Sequence, residues 1–415
     1  MTQWAPVWRV KIDGIDITDS VLANLSITSG RTNIYAQAQA GYCSVTLIIF
    51  NQAALPYEIN DTISIEVQDT AAAYVPIFGG SVVDIAVSVS QVGSSAYTQE
   101  VTITALGALA RLQKALTDGV LTQDFDGDQI YTILQGVLFA QWQQTPAALQ
   151  WTTYDPTEQW QNAGNTGLGE IDQPGNYELA QRASNRTIVY DLVAALATSG
   201  LGYLSEDAQG LISYSDSTHR TTYLAANGYT DLTANHALGR GITIKTRAGD
   251  VRNDLTIKYN TNSSSEVSDT DQASIAEYGE LAQIITTTIK HQADAEDQAA
   301  FYLALRAYPQ PIFDSITYAL TNPELDNGDR DALINIFMGQ PIALNNLPPN
   351  MSSGTFQGFV EGWTFRASFN QLDITLLMSP LAYSIQAMRW NDVPINEAWN
   401  TVSPTLEWQY ATIVS

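Results

Sequence analysis

Two stretches near opposite ends of this chain carry the same strand pattern, so any fold must place one β unit twice. The first, Asp61 to Leu112, runs DTISIEV, then PIFGGSVVDIAVSVS and, past a small polar loop, QEVTITALGALARL. The second, Gln340 to Ser379, runs PIALN, then TFQGFVEGWTF and QLDITLLMS. Each opens on a short apolar strand and enters a Phe-x-Gly-x-Val core: Phe78, Gly80 and Val82 in one, Phe356, Gly358 and Val360 in the other. Each then passes a carboxylate and closes on alternating Leu, Ile and Thr. Gly79, Gly80 and Gly358 are expected to supply backbone freedom at a barrel corner or bulge.

The residues around the first copy keep a period of two. Trp8, Val10 and Ile12 alternate with charged residues, and so do Cys43, Val45, Leu47 and Ile49 with polar ones. No helix lies between these strands, which implies an antiparallel barrel or sandwich rather than a parallel sheet. From about Ala105 the period changes. Ile130, Ile133, Leu134, Val137 and Leu138 share one helical face, as do Val189, Leu192, Val193 and Leu196 ahead of Gly200. GYLSEDAQGLISYSD reads as a hairpin turning near Ala208, Gln209 and Gly210. A further helix carries Ala295, Ala299, Tyr302 and Leu303 and ends before Pro309.

The expected fold class is mainly β with an α+β insertion: two similar antiparallel β-barrel domains separated by a helical and mixed region. The boundaries fall at 1–115 for the first barrel, 116–200 for a helical and mixed insertion, and 201–310 for a hairpin and helix region. The second barrel takes 311–387, and 388–415 form a Trp-rich extension with Trp390, Trp399 and Trp408.

Composition excludes several function classes. With 18 basic against 43 acidic residues the formal net charge is −25, and no Lys/Arg cluster offers phosphates a binding surface. The start, MTQWAPVWRV, lacks a signal-peptide pattern, and no window reaches the roughly 18 apolar residues of a membrane span, so a soluble protein without a secretion signal is expected. The single cysteine, Cys43, sits in an alternating strand and reads as a core residue.

Motifs for chemistry are sparse. Asp124, Asp126 and Asp128 occupy alternate positions, as the first ligands of a Ca²⁺ loop do, and are the metal candidate. The loop's sixth position would be Gln129 and its twelfth Gln135, so capping of a helix starting near Gln129 explains the same carboxylates. DNGDRD at Asp326 to Asp331 is a fainter version. Only His219, His236 and His291 could serve a catalytic triad, and no G-x-S-x-G turn marks a nucleophile. GNTGLGE, Gly164 to Glu170, follows no strand and reads as a loop rather than a phosphate cradle. No catalytic residue and no cofactor is expected. Trp142, Trp151 and Trp160, spaced by nine, leave a carbohydrate-binding or glycan-hydrolysing β protein as the alternative.

The order of these segments resembles the baseplate hub and minor tail proteins of tailed bacteriophages, in particular the tail-tip hub of long flexible-tailed phages. The likeness is carried by PIFGGSVVDI, by VYDLVAALATSGLGYLSEDAQGLISYSD, by EYGELAQ with ADAEDQAAFYLALRAYPQP, by GFVEGWTF with LDITLLMSP, and by the spaced C-terminal Trp residues. It implies a structural virion protein of the tail tip, made in the bacterial host cytoplasm. Three chains would form a ring in which two barrels per chain match a sixfold tail tube, with a threefold spike or fibre on the other side. Implied partners are a second and third copy, a distal tail or tail tube protein, a tape measure protein and receptor-binding proteins or fibres. Specific nucleic-acid binding is not among them, and acidic residues lining the channel would keep passing DNA from adhering.

Overall fold

The computed structural model describes residues 4–17, 20–32, 36–50, 55–89, 98–135, 151–153, 169–237, 243–246, 248–309, 311–347, 354–368 and 370–381. Val137, Leu138, Trp142, Trp160, most of GNTGLGE and the whole 388–415 extension lie outside them. The described residues are mainly β, with 44% strand and 25% helix.

The period-two segments form strands because one face can be buried along their length. The first unit contains β1 (Trp8–Ile12), β2 (Ser20–Gly30), β3 (Tyr42–Ile49), β4 (Thr62–Gln68), β5 (Tyr74–Val89) and β6 (Gln99–Leu106). In β3 the buried residues are Cys43, Val45, Leu47 and Ile49, the alternating set. Helices α1 (Leu109–Lys114), α2 (Asp126–Gln135) and α3 (Val189–Ser199) follow, then the hairpin β7 (Tyr203–Glu206) and β8 (Ile212–Ser215) and helix α4 (His219–Asn227). Strand β9 (Thr230–Thr233) precedes a three-stranded sheet of β10 (Asp254–Tyr259), β11 (Ser265–Thr270) and β12 (Ala282–Thr286). Helix α5 (Gln272–Tyr278) links β11 to β12, and α6 (Gln292–Arg306) lies over β10 and β11 with Ala295, Ala299 and Leu303 buried. The second unit is β13 (Pro311–Ala319), α7 (Asn327–Ile334), β14 (Pro341–Asn345), β15 (Phe356–Ser368) and β16 (Gln371–Pro380).

The two units share one strand order. In the first, the hydrogen-bonded order is β2, β3, β6, β5, β4, β1; in the second it is Thr243–Thr246, β13, β16, β15, β14, β9. Register agrees as well. Phe78 and Gly80 of β5 face Ile65 and Ile63 of β4, and Phe356 and Gly358 of β15 face Leu344 and Ile342 of β14. Each long strand then shifts register against its next neighbour at the same place, between Val82 and Asp84 and between Val360 and Gly362. A threonine pair recurs too: Thr46 bonds Thr102 at 3.1 Å, and Thr317 bonds Thr375 at 2.9 Å, at matching positions. The outermost strands differ, since β1 runs antiparallel to β4 while β9 runs parallel to β14.

Barrel closure, expected from the sequence, is not found: among the described residues the strands form no closed barrel. The units instead join edge to edge. The C-terminal half of β15 pairs antiparallel with β2, from Gly362 opposite Gly30 to Ala367 opposite Leu25, making a single 13-stranded sheet. One apolar core runs beneath it from Val10 to Met378.

The glycines of the two cores lie beside register shifts, at Ile77 against β4 and at Val83 against β6 in the first unit and at Glu361 against β16 in the second, and what they permit besides is close approach. A Cβ on Gly80 would stand 2.3 Å from the Leu106 carbonyl oxygen, and one on Gly358 would stand 2.2 Å from that of Ser379. Gly79 admits the β7–β8 turn, where a Cβ would meet the Gln209 carbonyl carbon at 2.5 Å. Helix α2 also starts at Asp126, earlier than the expected start near Gln129.

Candidate functional site

The strongest constellation lies where the first unit, the middle region and the second unit meet. Arg31 directly follows β2, Glu361 is the unpaired residue at the β15 register shift, and Arg220 stands in the first turn of α4. All three are buried. Arg31 donates through Nε to Glu361 Oε2 at 2.6 Å, and Arg220 donates to Oε1 at 2.8 Å and to Oε2 at 3.0 Å. Ser379 Oγ donates to Oε1, and the Arg31 backbone N–H donates to the Glu361 carbonyl at 2.8 Å. The Arg220 guanidinium also lies over the Tyr203 ring, 4.5 Å from its centroid, and over that of Phe359 at 5.0 Å. Burial opposes ionisation of Glu361, but the Arg220 and Arg31 guanidinium groups outweigh it and hold the carboxyl at a pKa of about 2. Chemically the cluster is a lock: it fixes three segments in one geometry.

Two further carboxylates fasten the middle region to the first unit. Glu206, at the end of β7, accepts from the backbone N–H of Gly41 and from that of Leu109 at 2.8 Å. Asp207 accepts from the N–H groups of Gln209 and Leu211 at 2.9 Å each, which shapes the turn seated on Gly79.

The metal candidates do not converge. Asp126 is buried and committed: Oδ1 accepts from the N–H groups of Asn176 and Tyr177 at 2.8 Å each, and Oδ2 accepts from the Tyr214 hydroxyl. Burial raises its pKa to about 7 despite these bonds. Asp124 is exposed and accepts from the Phe125 N–H at 2.9 Å. Asp128 is half-buried. The structure gathers other residues instead: Glu170, Asp172 and His219 are buried, with one ligand-type atom each within 4.8 Å of the others. His219 Nδ1 lies 2.7 Å from Asp172 Oδ2. Burial disfavours a charged imidazole here, but Asp172, Glu170 and Asp216 outweigh it and raise the His219 pKa. Glu170 and Asp172, two apart at the end of Gly169–Ile171, were the only sequence signal for this grouping. His236 and His291 sit apart from it, His291 bonding Glu178 at 2.6 Å. In DNGDRD, Asp326 caps α7 by accepting from the Asp329 N–H at 2.8 Å.

No family model and no curated protein matches the chain. Solved structures do. The 43 kDa tail protein of prophage MuSo2 from Shewanella oneidensis matches with a TM-score of 0.54 at 12% identity, over 92% of this chain and 100% of that one. The tail protein from Neisseria meningitidis MC58 matches with a TM-score of 0.57 at 11% identity, over 92% of this chain and 98% of the other. The fold of this chain is that of phage tail proteins. Among the described residues no helix is long and apolar enough to cross a membrane.

Proposed function

We propose that this chain is a structural, non-enzymatic hub of a phage tail tip, joining the tail tube to the distal receptor-binding apparatus. The observation that carries this reading is the duplication: two units with one strand order, matching register around the Phe-x-Gly-x-Val cores and one shared shift position, fused through β2 and β15. Three such chains give six equivalent units, the number that seats a sixfold tube while offering threefold symmetry to a spike or fibre. The two units act as the ring domains, and the parts of 116–310 outside the second unit's strands face other tail components: a distal tail or tube protein, the tape measure protein and receptor-binding proteins.

The tail-protein fold supports placement in the virion tail, and the net charge of −25 suits a channel from which DNA phosphates are repelled. Electron microscopy of the purified chain tests the reading. Threefold rings with six similar outer lobes are expected, and a dispersed single-chain particle at micromolar concentration would sink it.

A further inference from the structure

The sheet that joins the two units is made by an edge of one and an edge of the other, and each unit leaves open the equivalent of the edge the other contributes. Residues 362–367 of β15 offer their outer edge to β2, which lies at the far end of the first unit's path. The equivalent of 362–367 in the first unit is 84–89 of β5, because Ile85 faces Ile103 as Trp363 faces Leu376. The equivalent of β2 in the second unit is the strand Thr243–Thr246, which runs antiparallel to β13 as β2 does to β3, although Asp314 of β13 is skipped between Thr243 and Ile244. Among the described residues, the outer edges of 84–89 and of Thr243–Thr246 carry no strand.

Side-chain exposure follows the same division. Phe365 and Ala367, on the paired edge, are 1% and 3% exposed, whereas their counterparts Val87 and Val89 are 50% and 42% exposed. A strand edge left open is a template for another chain. The two open edges are different surfaces, so pairing them joins copies head to tail, an arrangement that closes into a ring when the rotation allows.

Resting on the hub reading, we infer that residues 84–89 of one copy pair antiparallel with Thr243–Thr246 of the next, repeating between chains the seam that β15 and β2 make within one. The internal seam fixes the register. Arg366 faces Ser26, and Ser26 faces Ser44. Ser88 stands where Arg366 does, each facing an acidic residue of the next strand, Glu100 and Asp373. Thr243 stands where Ser26 does, since it faces Ser315, the counterpart of Ser44. Ser88 therefore faces Thr243 of the neighbour, and Val87 faces its Ile244. One difference separates the two seams. Val83 occupies the shift position that holds Glu361 in the other unit, so the buried ion cluster locks only the internal seam.

Disulfide trapping tests the register. One variant carries Ser88→Cys with Thr243→Cys and another Val87→Cys with Ile244→Cys; of two adjacent antiparallel pairs, one is of the close, non-hydrogen-bonded kind. The native Cys43 is buried and does not interfere. Oxidation is expected to give covalent dimers and trimers from at least one double variant and none from the single variants. A trimer by native mass that neither pair cross-links would overturn the edge assignment and leave the hub reading standing. A wild-type chain that stays monomeric would remove both. As a second arm, Val87→Lys places a charge on a side chain that is exposed in the single chain. It is expected to abolish the trimer with the melting of the monomer unchanged, and a wild-type trimer fraction in this variant would also overturn the assignment.

Discussion

Glu361 and Val83 hold the same place in the two units, yet one is a buried anion between two guanidinium groups and the other a valine. Removing one member of such a cluster leaves uncompensated charge in the interior. Glu361→Ala is therefore expected to cost about 3–5 kcal/mol in urea unfolding. A carboxylate after each Phe-x-Gly-x-Val core is visible in the sequence, Asp84 in one unit and Glu361 in the other, but the two are not level: Asp84 stands where Gly362 does. The partners of Glu361 were not visible, since Arg31 and Arg220 lie 330 and 141 residues away along the chain. Periodicity reports a residue's own strand or helix and carries no information on what crosses to it. Asp126 supplies a prediction in pH. Its folded pKa of about 7 is above the ordinary 3.8, so the folded state holds the proton more tightly than the unfolded one. The stability it contributes is complete below pH 3.8 and is lost as pH rises toward 7. Asp126→Asn, which keeps an oxygen to accept from the Asn176 and Tyr177 N–H groups but has no titrating proton, is expected to flatten the fall between those limits in melts recorded across the range.

At the scale of the strand and helix, the two glycines of the Phe-x-Gly-x-Val cores should answer to substitution alike. Gly80→Ala and Gly358→Ala each drive a Cβ into a carbonyl oxygen of the adjoining strand, and each is expected to destabilise by about 1–3 kcal/mol. Gly249→Ala, with no atom within 4 Å of the added Cβ, is expected to stay within about 0.5 kcal/mol. Denaturant titration of the three variants compares them directly. Strands, the β7–β8 hairpin and the helices ending at Gly200 and before Pro309 were legible, because each has a local cause: alternation, a turn residue or an apolar helical face. What the sequence hid was the pairing between distant edges. Nothing local to β2 or β15 says that they meet, that β9 runs parallel to β14, or that the described strands leave the sheet open. Nor did the alternating carboxylates say that Asp126 would turn inward to Tyr214 while Asp124 stayed outside.

For the whole molecule, the duplication read from PIFGGSVVDI and GFVEGWTF is present in strand order, register and shift position, and the fold is that of phage tail proteins. Two units are fused through one internal seam, and on the proposed hub reading each chain supplies a third of a six-unit ring. Native mass of the full chain at micromolar concentration tests that claim most directly. The account predicts a particle of three 45.2 kDa chains, whereas a single 45.2 kDa species that persists as concentration is raised would contradict it.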